Sequence, residues 1–209
     1  MFSFNKKKWP QLEIDEIRKR SRILVIDDNE FIYQQLFIKD GYTLEKWDDV
    51  DDLPKLERGF FDIILLDIQG VGNTQSQEQG FGILKHLYEV CPTQIIIAYS
   101  NADFSLKYQE FFKLADATLA KSDDYVHFKR TVDKLLADRF SLGFYVQRVQ
   151  KILSPHVNDT RKVKGLTEKA ILGNNIGKIR TYLEQRVDNK DVINLVLQVI
   201  QVAIGIASL

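Results

Sequence analysis

The stretch "FDIILLDIQ" (residues 61–69) decides the fold, because it sets Asp67 directly after a run of aliphatic residues typical of a buried strand. An unpaired carboxylate at the end of such a strand is costly. Asp67 therefore predicts compensating groups nearby, and in a sheet these come from the neighbouring strands.

Four further stretches are also short, mostly apolar and bounded by polar residues: "RILVIDD" (22–28), "YTLEKWD" (42–48), "TQIIIAYS" (93–100) and "DATLAK" (116–121). Helical patterns follow the strands, at about 29–39, 51–58, 81–90, 103–114 and 123–139. A strand and a helix repeated five times predict an α/β fold, with a parallel sheet covered by helices on both faces. The most polar strand, 42–48, is expected at an edge.

The carboxyl ends of parallel strands meet at one edge of a sheet, where ligands bind. Here the predicted strands end in Asp27 and Asp28, in Asp67, in Ser100 and in Lys121. Three close carboxylates repel one another unless a cation binds between them. Mg²⁺ is a suitable cation, because it binds oxygen ligands such as carboxylate and phosphate oxygens. A lysine and a hydroxyl suit a transferred phosphoryl group, which a carboxylate such as the central Asp67 can accept. The alternative is that Asp28 or Asn29 only caps the following helix.

At "ILVIDDN", "FDIILLDI", "IIIAYS" and "LAK" the chain resembles the receiver domain of two-component response regulators, over about residues 22–138. The resemblance implies a flavodoxin-like, doubly wound, five-stranded parallel sheet in the order 2-1-3-4-5. It also implies a sensor histidine kinase or a phosphotransfer protein as partner, and a phosphoacceptor protein rather than an enzyme.

The resemblance also implies the roles of individual residues. Asp67 would be the phosphoacceptor, Ser100 the hydroxyl that follows the phosphoryl group, and Lys121 its salt-bridge partner. Asp27 and Asp28 would bind Mg²⁺ together with Asp67 and the backbone carbonyl of Gln69.

Three positions depart from the pattern of that family. Thr118 stands where an aromatic residue is usual, and Ser122 stands where proline usually follows the lysine. The loop "IQGVGNTQSQEQG" (68–80) is some five residues longer than usual, and its composition predicts mobility. We therefore expect a signal to leave the domain by another face than the usual one.

We divide the chain into an N-terminal extension (1–21), a receiver domain (22–139) and an all-α output or dimerisation region (140–209). In this last region, apolar stripes predict helices at 142–153 and 176–187, and "NDTRKVKG" (158–165) is interpreted as a basic loop. Residues 192–209 form a further predicted helix without a charged side chain. Burial in a helical bundle or a homodimer interface is favoured for it over a membrane span and over binding at a membrane surface.

Charge and cysteine content limit the remaining choices. Residues 1–139 hold 19 Lys and Arg against 24 Asp and Glu, whereas residues 140–209 hold ten against five. The basic excess leaves a DNA-binding transcription regulator as an alternative function, and a pseudo-receiver interaction module as another. Cys91 is the single cysteine and no signal-peptide pattern opens the sequence, so a cytoplasmic location is expected.

Overall fold

The computed structural model describes residues 8–101 and 112–209. They form two compact units, one comprising Glu13–Arg139 and the other residues 8–12 with Phe140–Leu209. The predicted helix at 103–114 lies largely outside the described residues.

The first unit contains a five-stranded parallel sheet, formed by β1 (Arg22–Ile26), β2 (Thr43–Trp47), β3 (Ile63–Asp67), β4 (Ile95–Ser100) and β5 (Ala117–Ala120). The strand order is β2-β1-β3-β4-β5. The predicted flavodoxin-like topology is therefore confirmed, with the polar strand β2 at an edge. The side chains of β3 are all buried, as its unbroken apolar sequence predicts.

The described helices of this unit are α1 (Ile14–Arg20), α2 (Gln34–Lys39), α3 (Leu53–Glu57), α4 (Gly80–Val90) and α5 (Tyr125–Arg139). Helix α1 lies in the segment for which no element was predicted. It is attached to α5 by Arg18, whose guanidinium donates to both carboxylate oxygens of Asp133 at 2.9 and 2.6 Å.

Helix α2 begins at Gln34, five residues later than predicted, and no side chain caps its first turn. Asp28 and Asn29 are thus too far along the chain from this helix to cap it. The alternative role proposed for them from the sequence is wrong, because residues 27–33 form an irregular connection between β1 and α2.

Helices pack on both faces of the sheet. Leu24 and Ile64 share one buried cluster with residues of α3 and α4, such as Leu56 and Leu84. Alternate residues of a strand face opposite sides, and on the other side the ring of Phe128 in α5 lies 5.7 Å from that of Tyr99 in β4.

A buried ion pair joins α5 to the amino end of the sheet. Arg139 Nε donates to Asp62 Oδ1 at 2.8 Å, and Arg139 Nη1 donates to the Thr93 carbonyl at 2.6 Å. The second carboxylate oxygen of Asp62 accepts from the amide of Arg22 at 2.8 Å. Both charges are therefore compensated, as burial requires.

The second unit is a helical bundle of α6 (Leu142–Leu153), α7 (Thr160–Leu172), α8 (Gly177–Glu184) and α9 (Lys190–Ile206). Helix α7 replaces the basic loop predicted at 158–165. Asp159 caps it by accepting from the Lys162 amide at 2.9 Å, and Val163, Thr167 and Ile171 form a buried stripe four residues apart. The charges and Gly165 led to the interpretation of 158–165 as a loop. Only Val163 of the stripe lies within that segment, so the helical spacing was not visible there.

The apolar face of α9 is buried within this bundle, where its residues share one cluster with α6, α7 and α8. The polar residues Asn194, Gln198 and Gln201 of α9, by contrast, are exposed. Helix α7 thus covers α9 in addition to the two helices predicted at 142–153 and 176–187. Among the described residues, no helix combines the length and apolarity that crossing a membrane would need.

Trp9 belongs to the helical unit despite its place near the start of the chain. Its indole Nε1 donates to the Phe140 carbonyl at 2.7 Å, and its ring lies 5.9 Å from that of Tyr145. The unit is therefore assembled from two separate parts of the sequence.

Candidate functional site

The carboxyl ends of β1 and β3 bring three acids together. One oxygen from each of Asp27, Asp28 and Asp67 lies within 4.8 Å of the others. Asp27 and Asp67 are buried, whereas Asp28 is exposed. The acidic cluster predicted from the strand ends is thus present, with one open side.

Lys121 lies between the two buried acids. Its Nζ donates to Asp67 Oδ2 at 2.6 Å and to Asp27 Oδ1 at 2.8 Å. Burial opposes the charge on the ammonium group, but the bonds to Asp27 and Asp67 prevail and the pKa of Lys121 is raised above its ordinary value. One cation thus compensates part of the charge of two carboxylates.

Burial also governs Asp67. It raises the pKa of the Asp67 carboxyl, although the hydrogen bonds from Lys121 and from the backbone amide of Gln69 oppose this change. The Gln69 amide donates to Asp67 Oδ1 at 3.1 Å. The carboxylate is therefore held in one orientation by a donor on each oxygen.

Asn29 organises the acid pair on the other side. Its backbone amide donates to Asp27 Oδ1 at 2.8 Å, and its side-chain Nδ2 donates to Asp28 Oδ1 at 2.6 Å. These bonds bring together the carboxylates of two consecutive residues, whose side chains would otherwise diverge.

The donor set fits a hard divalent cation such as Mg²⁺. It consists of carboxylate oxygens, and Asp27 Oδ2 is buried without a hydrogen-bond partner, although Lys121 Nζ lies 2.8 Å away. A Cβ on Gly70, at φ +84°, would lie 2.6 Å from Asp28 Oδ2. The backbone at Gly70 therefore packs directly against the Asp28 carboxylate.

Hydrogen bonds hold the long loop after Asp67 near Gly70, and its mobility stays a prediction. Gln79 Oε1 accepts from the Gly70 amide at 3.1 Å, and Asn73 Nδ2 donates to the Gly70 carbonyl at 2.8 Å. Gly80 then begins α4 so close to β3 that a Cβ there would lie 2.0 Å from the Asp67 carbonyl oxygen. The loop returns directly to the site that it leaves.

Ser100 ends β4 and its side chain is buried. It follows Tyr99, the residue that pairs with Asp67 in the register of the sheet. Ser100 is therefore placed in the strand next to the candidate acceptor. Thr118, at the position where the receiver domains that the sequence resembles have an aromatic residue, is exposed.

Tyr99 is a residue of the site that sequence reasoning missed. Lys121 Nζ lies 5.0 Å from the centroid of its ring, and burial followed by the charge of Asp27 raises the pKa of its hydroxyl. An aromatic residue directly before Ser100 was a usable signal. Gln79 was missed too, since nothing in the sequence links it to Gly70.

No protein-family model and no curated protein sequence matches the chain. Solved structures do match, and several of them are receiver domains of response regulators. A CheY-like receiver domain protein from Methanospirillum hungatei is 24% identical, with a TM-score of 0.49, and the match covers 57% of this chain and 95% of that one. The response regulator TrrA from Thermotoga maritima, solved with Mg²⁺ and BeF, is 24% identical, with a TM-score of 0.44 and coverages of 55% and 98%.

Proposed function

We propose that this chain is a two-component response regulator that is phosphorylated on Asp67 with Mg²⁺ as cofactor. One observation carries the proposal: the Lys121 ammonium group bridges Asp67 and Asp27 beside the exposed acid Asp28. A receiver needs an acceptor carboxylate, a fixed cation and a further acid open to solvent, and Asp67, Lys121 and Asp28 could supply these three.

In the proposed reaction, an oxygen of Asp67 attacks the phosphorus atom of a phosphohistidine on a sensor kinase or phosphotransfer protein. The bond from phosphorus to the histidine nitrogen breaks, and the histidine leaves with that electron pair as a neutral imidazole, because its other ring nitrogen carries a proton. Lys121 neutralises charge on the phosphoryl oxygens, and the Ser100 hydroxyl serves as a donor to one of them. Asp27, Asp28, Asp67 and the Gln69 carbonyl would hold Mg²⁺, which when bound supplies further positive charge to the phosphoryl group.

The helical unit is the proposed output. Through this unit, the phosphorylation state of Asp67 would be passed to a protein partner or to a second copy of the chain. Self-phosphorylation and dephosphorylation of Asp67 would be the only reactions that the chain carries out. A cytoplasmic location fits this role, because the phosphohistidine donors of such systems are intracellular and the single cysteine, Cys91, is a buried thiol.

The test is the intact mass of the protein after incubation with acetyl phosphate and Mg²⁺. We expect one added phosphoryl group, which Asp67→Asn loses and the exposed control Asp51→Asn keeps. A phosphoryl group that persists in Asp67→Asn would place the acceptor elsewhere. No phosphorylation of the wild-type protein would favour the pseudo-receiver.

A second candidate function is DNA binding, favoured by the exposed basic residues Arg161, Lys162 and Lys164 at the start of α7. Contacts with phosphates release counter-ions, so binding to duplex DNA would weaken steeply as salt concentration rises. A salt-dependent gel shift that is lost when these three residues are replaced by Ala would support this function over protein binding.

A further inference from the structure

Gln79 lies at the end of the loop that follows the acidic cluster, and its backbone is strained. It has φ 55° and ψ −138°, a combination that glycine adopts far more readily than a residue with a side chain. Glycine would be favoured at this turn on backbone grounds alone. The presence of glutamine here therefore points to a role for its side chain.

The side chain of Gln79 has one hydrogen bond of consequence for the site. Its Oε1 accepts from the Gly70 amide at 3.1 Å. The Gly70 N–H and the Gln69 carbonyl belong to the same peptide group, which is planar, with its N–H and C=O pointing in opposite directions. Fixing the N–H therefore fixes the direction of the carbonyl.

Neighbouring contacts leave this peptide group little freedom. The Gln69 amide on one side donates to Asp67, and the Gly70 carbonyl on the other side accepts from Asn73. Gly70 itself packs against the Asp28 carboxylate. Hydrogen bonds thus fix the peptide groups before and after the Gln69–Gly70 peptide, and Gln79 accepts from the N–H of that peptide itself.

We propose that Gln79 is a positioning residue, whose side-chain amide orients the Gln69 carbonyl as a ligand for Mg²⁺. The inference rests on the proposed function, from which it takes the metal and the Gln69 ligand. It adds that the long loop supplies the group that sets the strength of metal binding, at the expense of backbone strain at residue 79.

The test compares four variants by calorimetric titration with MgCl₂ and by thermal melting without metal. Gln79→Ala and Gln79→Gly both remove the acceptor, and loss of a group that orients a metal ligand typically weakens binding by about 10- to 100-fold. Gln79→Glu keeps an acceptor oxygen and should retain tight binding. Gln77→Ala, an exposed glutamine in the same loop, is the matched control and should match the wild type.

Melting separates positioning from a general loss of structure. Gln79→Gly removes the strain that a side chain causes at positive φ. This variant should therefore melt at or above the wild-type temperature while binding Mg²⁺ more weakly. If the wild type binds Mg²⁺ and Gln79→Ala binds it with the same affinity, this inference is wrong and the proposed function is unaffected. Lower melting together with weaker binding in Gln79→Gly overturns the inference too, and a wild type that binds no Mg²⁺ removes both.

Discussion

Lys121 Nζ lies 2.6 Å from Asp67 Oδ2, and the Lys121 side chain is only 13% exposed. Breaking a buried ion pair by removing one partner leaves an uncompensated charge, and Lys121→Ala would leave two, on Asp67 and Asp27. We expect this change to destabilise the metal-free protein by about 3 kcal/mol. Urea denaturation measures it, and Lys134→Ala, an exposed lysine on α5, is the control. Equal losses in the two variants would contradict the ion-pair interpretation.

The raised pKa of Asp67 predicts a pH-dependent stability. An acid whose pKa is higher in the folded state stabilises the fold at low pH, and this contribution is lost as pH rises from the unfolded pKa through the folded one. Asp67→Asn carries no such charge, so it should be more stable than the wild type at pH 7, by about 1–2 kcal/mol without metal.

The advantage of Asp67→Asn should shrink as the pH is lowered towards the ordinary pKa of an aspartate. Denaturation curves at pH 7 and at about pH 4 measure this change. An advantage that is the same at both pH values would mean that burial of the Asp67 charge is not its cause.

Two glycine-to-alanine changes should have opposite effects. Gly80→Ala places a methyl group against the Asp67 carbonyl oxygen, where backbone must move, so it should lower both stability and phosphorylation. Gly165→Ala lies within α7, where the described residues place no atom within 4 Å of the new group apart from its chain neighbours and the backbone of its own helix, so it should stabilise the protein by about 0.5–1 kcal/mol. Thermal melting and intact mass measure the two effects. A neutral Gly80→Ala would show that α4 can shift at no cost.

The ion pair of Arg139 and Asp62 predicts a large structural effect far from the acidic cluster. Arg139→Met should cost about 3–5 kcal/mol, because it leaves Asp62 charged and buried. Arg130→Met, on the exposed side of α5, should change stability by less than about 0.5 kcal/mol. Chemical denaturation compares the two, and similar values would show that Asp62 is adequately hydrated without Arg139.

Removal of residues 191–209 should unfold the helical unit, since α9 supplies many residues of its core. Circular dichroism should show a loss of helix greater than the 16 helical residues, 191–206, that the truncation removes. A homodimer stays a prediction, which sedimentation of the full chain at several concentrations tests. A truncated protein that keeps its other helices would show that α9 is dispensable for the bundle and available for association.

The sheet and the acidic cluster were predictable from the sequence because each depends on local pattern. Aliphatic runs ending in Asp27, Asp67 and Lys121 specify both buried strands and the edge at which they meet. Helix α7 and the role of Gln79 were not predictable in this way. The buried stripe of α7 is interrupted by charges, and the contact of Gln79 with Gly70 depends on how a thirteen-residue loop closes, which no periodicity encodes.

The chain contains two tryptophans, and each belongs to a different unit: Trp9 to the helical bundle and Trp47 to the sheet. The indole of Trp9 donates to a backbone carbonyl, whereas that of Trp47 donates to the Glu45 carboxylate at 2.7 Å. Replacing either one by Phe leaves a protein whose emission reports on a single unit. Fluorescence can then follow the unfolding of each unit separately. It can also show whether phosphorylation or Mg²⁺ binding at the acidic cluster changes the emission of Trp9 in the helical bundle.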